Sequence, residues 1–260
     1  MKHAEHNTSL NRHDRHHALV PRAVVCLPTF NERDNLEPMV RALGDVIDTA
    51  RDVVLVVDDN SPDGTGKLAD RLAGELPWVH VLHRERKEGL GRAYVAAFEW
   101  ALAAGAELVL EIDCDFSHDP VVVPELIAAC EAGAGVALGS RYVVGGGTRN
   151  WGLVRRAVSR GGSLYARLIL GVSVRDLTGG LKCFRREVLE AIDLRAVTAG
   201  GYAFQIEITY RALRLGFSVV ELPITFVDRV VGGSKMTGSI VAEAVWKVPA
   251  LRVRALRGRL

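Results

Sequence analysis

Two aspartates separated by one residue end an apolar run near the middle of the chain. In "LVLEIDCDFSHDP" (108–120), Asp113 and Asp115 follow a short hydrophobic segment. Side chains at positions i and i+2 of an extended chain point the same way, so the two carboxylates would lie close together and repel each other. A divalent cation relieves that repulsion, and oxygen-only ligands favour Mg²⁺ or Mn²⁺, which also bind substrate phosphates. The pattern predicts a metal site, and a purely structural aspartate pair is the alternative.

A second acidic pair, Asp58 and Asp59, ends the apolar run "DVVLVV". One of these carboxylates could accept hydrogen bonds from a ribose or a base. The alternative is an Asx turn, because the residues of the following "NSPDG" all favour turns. Both interpretations can hold together.

Basic side chains form a third group with chemical potential. They are Arg141 in "GSRY", the neighbours Arg155 and Arg156, and Arg229 and Lys235 in "DRVVGGSK". Arginine binds phosphate through its bidentate fork and lysine binds it as a point charge. Surface solubility explains most basic residues equally well, but Arg141 stands at the end of a predicted strand.

Alternating strands and helices must position these groups. The strand-like segments "AVVCLP", "DVVLVVDD", "WVHVLH", "ELVLEID" and "GVALGS" alternate with segments of helical periodicity, which predicts an α/β fold with a mostly parallel central sheet flanked by helices. Ligands of such sheets bind beyond the carboxyl ends of the strands. The segments "PTFNE", "DDNSPDG", "DCDFSHD" and "GSRY" stand at those ends. In the less regular second half, "VRDLTGGLKCF" is expected to be a loop.

Composition sets further bounds. The chain has 260 residues, of which 48% are hydrophobic and 25% charged, and its formal net charge of +2 is too small to imply a nucleic-acid partner. Four scattered cysteines predict a reducing compartment rather than a disulfide or zinc framework. We expect a disordered, His-rich leader at 1–22, a catalytic domain at 23–236 and a basic amphipathic segment at 237–260. No apolar run is long enough to predict a transmembrane helix.

An ordered set of motifs gives the sequence a family resemblance. The segments are "LPTFNERDNL", "VVDDNSPDGT", "KEGLGRAY", "DCDFSHDP", "GSRYVVGG", "DLTGGLKCF", "FQIEI" and "DRVVGGSKM". Together they resemble the family 2 glycosyltransferases, and within them the dolichol- or polyprenol-phosphate mannose synthases, over about residues 24–245. The resemblance implies a GT-A fold and inverting transfer of mannose from GDP-mannose to a polyprenyl phosphate.

The resemblance also assigns roles to individual residues. It implies that the donor is bound by Pro28, Phe30, Glu32, Asp58, Asp59, Lys87 and Gly89, with further substrate contacts from Asp113, Cys114 and Arg155. It implies a metal held by Asp113 and Asp115, and catalytic roles for Asp115, Arg141, Arg229 and Lys235. Ser117 is the third position of the metal site, where many relatives have a longer glutamine. From strand geometry alone, Cys114 points to the opposite face as a small apolar filler.

The acceptor chemistry fits this set of residues. An alcohol acceptor would need a general base, whereas a phosphate monoester has a second pKa of about 6 and is largely dianionic at neutral pH. We expect arginine and lysine to position the acceptor phosphate near the sugar carbon.

A lipid acceptor requires the protein to reach a membrane. The segment "SIVAEAVWKVPALRVRALRGRL" has apolar helical spacing followed by basic residues, which predicts a peripheral protein on the cytoplasmic side. A helix packed on the domain with a solvated basic end is an equal alternative, and Pro249 would kink or end it. The family also makes a separate membrane-protein anchor plausible.

Three rival functions remain. A transferase that uses UDP-glucose or another UDP-sugar would share the fold and the metal site. A catalytically inactive binding module is disfavoured by the intact Asp113–Asp115 pair. A Rossmann oxidoreductase is disfavoured because "GLGRAY" lacks the third glycine of the dinucleotide fingerprint.

Overall fold

A seven-stranded sheet organises the chain, which the computed structural model describes at residues 20–197, 201–228, 238–258 and 260. The strands are β1 (Ala23–Thr29), β2 (Asp52–Asp58), β3 (Val79–His83), β4 (Leu108–Glu111), β5 (Val136–Ser140), β6 (Gly147–Arg149), β7 (Lys182–Arg185), β8 (Val219–Pro223) and β9 (Thr225–Val227). The helices are α1 (Arg33–Gly44), α2 (Thr65–Glu75), α3 (Leu90–Ala103), α4 (Val123–Glu131), α5 (Leu153–Leu170), α6 (Arg186–Ala191), α7 (Gly201–Arg214) and α8 (Gly238–Leu256).

The strand order of the large sheet is β3-β2-β1-β4-β7-β5-β8. Strand β1 runs parallel to β2 and β4, and β5 runs parallel to β8. Strand β7 is antiparallel to both of its neighbours, β4 and β5. A mostly parallel sheet is therefore confirmed, with one antiparallel strand inside it.

Helices cover the sheet on both faces, because the central strands are apolar on both sides. Val25 and Leu27 of β1 pack into a cluster with α1, α2 and α4, whereas Val24 and Cys26 pack into a second cluster with α3, α6 and α7. Successive residues of a strand point to opposite faces, so a strand buried on both sides reads as a continuous apolar run.

Our prediction that "VRDLTGGLKCF" forms a loop is wrong for its last three residues. Residues Lys182–Arg185 form β7 and fill the gap between β4 and β5. A four-residue strand carries too little periodicity to be recognised, and Lys182 at its start interrupts the apolar pattern. The charge of Lys182 is accommodated inside the sheet because Glu111, opposite it on β4, pairs with it.

The carboxyl ends of the parallel strands gather the polar segments, as expected. Thr29 of β1 lies opposite Asp58 of β2, and the chain continues from β4 directly into the aspartate pair. A small parallel sheet of β6 and β9 stands at the same edge, where the Val227 amide donates to the Ser117 carbonyl at 3.0 Å.

A third apolar cluster joins α5, α7 and α8. Val248 and Leu251 of α8 are buried there against Ala166 and Leu170 of α5. The helix continues through Pro249, so that residue does not end it. This packing matches the alternative interpretation of the C-terminal segment. Residues 1–19 of the expected leader lie outside the described residues, and no helix of the described part is both long and apolar enough to cross a membrane.

Candidate active site

The loop after β4 presents the two aspartates through a sharp backbone turn. Phe116, directly after Asp115, has a φ of 55°, in the left-handed region that costs a residue with a side chain of this size about 1–3 kcal/mol. Asp115 accepts hydrogen bonds through Oδ1 from the Ser117 amide at 3.0 Å and the Ser117 hydroxyl at 2.5 Å. Ser117, the expected third metal position, thus contacts the Asp115 carboxylate, while Cys114 is buried in the apolar core.

Asp113 lies on the side of the loop that faces α3 and α7. The Tyr94 hydroxyl donates to its Oδ1 at 3.1 Å. Burial raises the pKa of Tyr94 well above its ordinary value, so the phenol keeps its proton and remains a donor.

Gly180 leaves a small gap beside Asp113 that a methyl group would fill. A Cβ atom at Gly180 would lie 3.8 Å from Asp113 Oδ2, 3.7 Å from Gln205 Nε2 and 3.9 Å from His118 Nε2. Three polar groups from three separate segments therefore converge on one point. Within the described part of the chain, the buried Gln205 Nε2 has no hydrogen-bond partner. The point offers a carboxylate and a polar N–H donor to a bound molecule.

The two carboxylates suit a hard divalent cation. Among the described residues, no group of three or more His, Cys, Asp or Glu side chains is gathered to hold a metal ion. Asp113 and Asp115 would therefore supply two oxygen ligands, and substrate phosphate and water would supply the rest, which is the usual arrangement for Mg²⁺ with a nucleotide. The residues present fit such an ion.

A buried ion pair forms the floor of the site. Lys182 Nζ lies 2.8 Å from Glu111 Oε1 and donates to the Gly179 carbonyl at 2.7 Å, and it also contacts Gln205 Oε1. Burial lowers the pKa of Lys182 and raises that of Glu111, and each partner opposes the effect on the other. The lysine thus fixes the loop before β7 and the glutamine that faces Asp113. We did not predict this network from the sequence. The available signal was a charged residue inside each of two apolar segments, Glu111 in "LVLEI" and Lys182 in "LKCF".

His118 is a further residue that sequence reasoning missed. It is buried, and its ring meets Phe226 edge-on with centroids 4.9 Å apart. Burial lowers its pKa to about 4, so the imidazole is neutral near pH 7.

Arg141 is buried in a two-pronged contact with Asp176. Its Nε and Nη2 lie 2.7 and 2.6 Å from the two carboxylate oxygens, and Nη2 also donates to Thr178 at 2.8 Å. Burial works to raise the pKa of Asp176, but the bonds from Arg141 hold it below its ordinary value. The structure therefore gives Arg141 a carboxylate partner, and its contact with a phosphate stays a prediction.

Arg155 stands at the start of α5, where the small sheet meets the site. Its Nη1 lies 2.6 Å from Asp228 Oδ1, and its guanidinium lies over the Trp151 ring at 4.2 Å. Asp228 is the last described residue before 229–237. Arg229 and Lys235, the other basic residues that we predicted, lie outside the described residues.

The residues that we predicted to bind the donor lie at or after the ends of β1, β2 and β3. Lys87 Nζ lies 3.9 Å from the centroid of the Phe30 ring, so two residues 57 positions apart in sequence are in contact. Cations bind aromatic faces in this way, with about 0.5–1 kcal/mol of attraction at exposed sites. Pro28 is buried in β1, and Gly89 precedes α3 with a φ of 99°.

The acidic pair of this region divides into two environments. Asp58 accepts from the Ser61 amide at 3.1 Å and the Ser61 hydroxyl at 2.6 Å, which is the turn that we offered as an alternative. Asp59 pairs with Arg84 at 2.5 Å, and burial raises its pKa while Arg84 opposes the rise. Glu32 accepts from the Asn35 side chain at 2.9 Å.

Comparison with known proteins relates this chain to glycosyltransferases. The family model described as "Glycosyl transferase family 2" matches residues 24–193. The polyprenol monophosphomannose synthase of Mycolicibacterium smegmatis is 51% identical over 92% of this chain and 89% of its own length. The undecaprenyl-phosphate mannosyltransferase of Micrococcus luteus is 46% identical over 92% of this chain and 99% of its own.

A solved structure supports the fold. Glucosyl-3-phosphoglycerate synthase from Mycobacterium tuberculosis, solved with Mn²⁺, UDP and glucosyl-3-phosphoglycerate, superposes with a TM-score of 0.64. The match covers 92% of this chain and 80% of that one at 22% identity. The GT-A-like arrangement expected from the sequence is therefore confirmed.

Proposed function

This chain belongs to glycosyltransferase family 2, and we propose that it transfers mannose from GDP-mannose to a polyprenyl phosphate, with inversion at the anomeric carbon. The observation that carries the proposal is the Asp113–Asp115 pair, on a strained turn at the carboxyl edge of the sheet, with the small gap left by Gly180 beside Asp113. The choice of mannose and of a polyprenyl phosphate is supported by the two relatives of 46% and 51% identity.

Each end of the site has a distinct task in this proposal. Phe30, Lys87 and Asp59 would hold the nucleoside end of the donor. Asp113 and Asp115 would hold Mg²⁺ or Mn²⁺ on the pyrophosphate. That ion, when bound, supplies positive charge against the negative charge that develops on the departing GDP.

The acceptor needs positioning more than deprotonation. Its phosphate is already largely dianionic at neutral pH, because the second pKa of a phosphate monoester is about 6. Burial lowers the pKa of His118 to about 4, which makes its imidazole a weak base, and this is consistent with a reaction in which no histidine has to remove a proton. Arg155, Arg229 and Lys235 would hold the acceptor phosphate, and Arg141, oriented by Asp176, would add positive charge nearby.

The proposed location follows from the acceptor. We propose that the protein works at the cytoplasmic face of a membrane as a peripheral enzyme. The four cysteines all lie among the described residues, where they are buried and form no disulfide, which is consistent with a reducing compartment. A membrane-protein anchor is not required by this proposal.

A transfer assay tests the proposal directly. Purified protein is mixed with radiolabelled GDP-mannose, a polyprenyl phosphate and Mg²⁺ or Mn²⁺, and lipid-linked sugar is extracted and counted. We expect lipid-linked mannose from GDP-mannose, and we expect EDTA to abolish it. Radiolabelled UDP-glucose should give no lipid-linked sugar. Product from UDP-glucose alone would show that the donor is wrong, and no product from either donor would overturn the proposed activity.

A further inference from the structure

Helix α5 carries large apolar side chains that the described part of the chain leaves largely or half exposed. Leu153, Val154 and Leu168 are 81%, 79% and 72% exposed, and Leu164 is 51% exposed. With about 100° of rotation per residue, Val154, Val158, Leu164 and Leu168 fall on one side of the helix. The opposite side is in the core, where Ala166 and Leu170 are buried.

The charges of α5 border this apolar stripe and have a single sign. The helix contains four arginines and no acidic residue. Arg156, Arg160 and Arg167 fall within roughly 40° of one another around the helix axis, between the exposed and the buried sides. A helix with an apolar face flanked by arginine is typical of segments that lie in the plane of a lipid–water interface.

Helix α8 extends the apolar surface. The Tyr165 hydroxyl of α5 donates to the Val245 carbonyl of α8 at 2.8 Å, which holds the two helices side by side. The next residue, Trp246, is 80% exposed. Tryptophan is enriched at membrane interfaces because its ring is apolar and its N–H is polar. The apolar positions Val248 and Leu251 of α8 are buried, so they cannot provide this surface.

The direction of α5 connects the surface to the active site. Arg155 in its first turn is paired with Asp228, and Trp151 just before it meets Phe226 edge-on at 5.2 Å. Phe226 in turn contacts His118 of the aspartate loop. A helix of 18 residues is about 27 Å long, so a surface along α5 begins at the site and extends away from it.

We propose that the exposed stripe of α5, together with Trp246, docks the protein on an anionic lipid bilayer and so presents the active site to the membrane surface. The inference rests on the proposed lipid acceptor and adds to it the residues that contact the bilayer. A second copy of the chain is a poorer occupant, because two such faces would bring arginines against arginines. Anionic headgroups complement the arginine border, and acyl chains cover the leucines and valines.

Vesicle binding of the full chain tests the proposal. Wild-type protein is sedimented with vesicles of phosphatidylcholine, with and without phosphatidylglycerol, in the absence of donor and acceptor. We expect binding that requires phosphatidylglycerol. The variant Leu164→Asp/Leu168→Asp should bind at least about 10-fold more weakly, since it places charge in the apolar stripe. Leu215→Asp, at a residue that is also 51% exposed but lies outside α5, is the matched control and should bind normally.

A charge variant keeps the test independent of folding defects. Arg160→Gln/Arg167→Gln removes two positive charges from the border, and at about 1 kcal/mol for each it should weaken binding about 30-fold. Arg51→Gln/Arg195→Gln removes the same charge elsewhere and should change binding little. If both α5 variants bind vesicles as wild type does, or if they only convert a dimer into a monomer, the proposal is wrong.

A second assay separates this proposal from the proposed activity. Transfer to a short, water-soluble prenyl phosphate without vesicles should be equal in wild type and in the α5 variants. Loss of vesicle binding with that transfer intact supports the docking surface. If the wild type binds vesicles through α5 but makes no product, the docking surface stands and the proposed activity fails.

Discussion

Arg141 and Asp176 form a buried ion pair in which Nε and Nη2 of the guanidinium meet both carboxylate oxygens, at 2.7 and 2.6 Å. The Arg141 amide also donates to Asp176, at 3.0 Å. The aspartate therefore fixes both the backbone and the side chain at the end of β5. An arginine held in this way has a fixed direction, so the pair is a structural element of the site, and the role of Arg141 toward a substrate phosphate stays a prediction.

We expect Asp176→Asn to be strongly destabilising. It leaves a buried guanidinium without its counter-charge, and breaking such a pair costs about 3–5 kcal/mol. Urea denaturation gives the free energy of unfolding. The control is Glu190→Gln, which removes the partner of Arg186 in an exposed pair one helical turn apart and should cost less than about 0.5 kcal/mol. Equal losses in the two variants would show that burial does not strengthen the Arg141 pair.

The same pair predicts a pH dependence. The pKa of Asp176 is lower in the folded protein than its ordinary value of 3.8, so the carboxylate contributes stability that is present above pH 3.8. That stability is lost as the pH falls below 3.8 through the folded-state pKa. The gap in unfolding free energy between wild type and Asp176→Asn should therefore be constant from neutral pH down to about 4 and narrow below it. If the difference in unfolding free energy disappeared between pH 7 and 5, a group other than Asp176 would be responsible for the pH dependence.

We expect Asp113→Asn and Asp115→Asn to remove metal-dependent transfer without unfolding the chain. Each variant lacks a carboxylate for the cation, and losing one such electrostatic contact lowers kcat by roughly 10²–10³-fold. Each also relieves the repulsion within the pair. Transfer assays measure the loss of kcat, and the rise in Tm caused by Mn²⁺ plus GDP measures the loss of metal binding. The control is Asp119→Asn, in the same loop but exposed, which should keep both the transfer rate and the rise in Tm. Similar losses in this control would show that any substitution in the loop disturbs the site.

Sequence reasoning predicted most of the scaffold but only part of the site. The parallel strands and the aspartate pair follow from local patterns, because apolar runs and the residues after them are adjacent in sequence. The Glu111–Lys182 pair joins residues 71 positions apart, and the antiparallel β7 that brings them together is only four residues long. Gly180, Gln205 and His118 meet only after that strand is placed, so no spacing in the sequence could have revealed their convergence on Asp113.

We expect Gly180→Ala to lose activity while the fold is retained. The new methyl group would sit 3.7–3.9 Å from Asp113, Gln205 and His118, which is ordinary van der Waals contact, yet it would fill the space beside Asp113. The Tm should change little and the transfer rate should fall. Gly74→Ala, where a Cβ meets nothing within 4 Å, is the matched control for activity. Full activity in Gly180→Ala would mean that no substrate atom uses this space.

Two leucines of α8 distinguish its packed side from its exposed side. Leu251 is buried against α5 and α7, so Leu251→Ala should cost about 2–5 kcal/mol through lost burial and the cavity it leaves. Leu256 lies five residues later and is exposed, and Leu256→Ala should stay within about 0.5 kcal/mol of wild type. Urea denaturation of both variants measures the difference.

Because α8 continues through Pro249 and buries Leu251, we expect this part of the C-terminal segment to stabilise the domain whether or not a membrane is present. Equal and small effects at the two leucines would contradict that packing and return the whole segment to the interfacial interpretation.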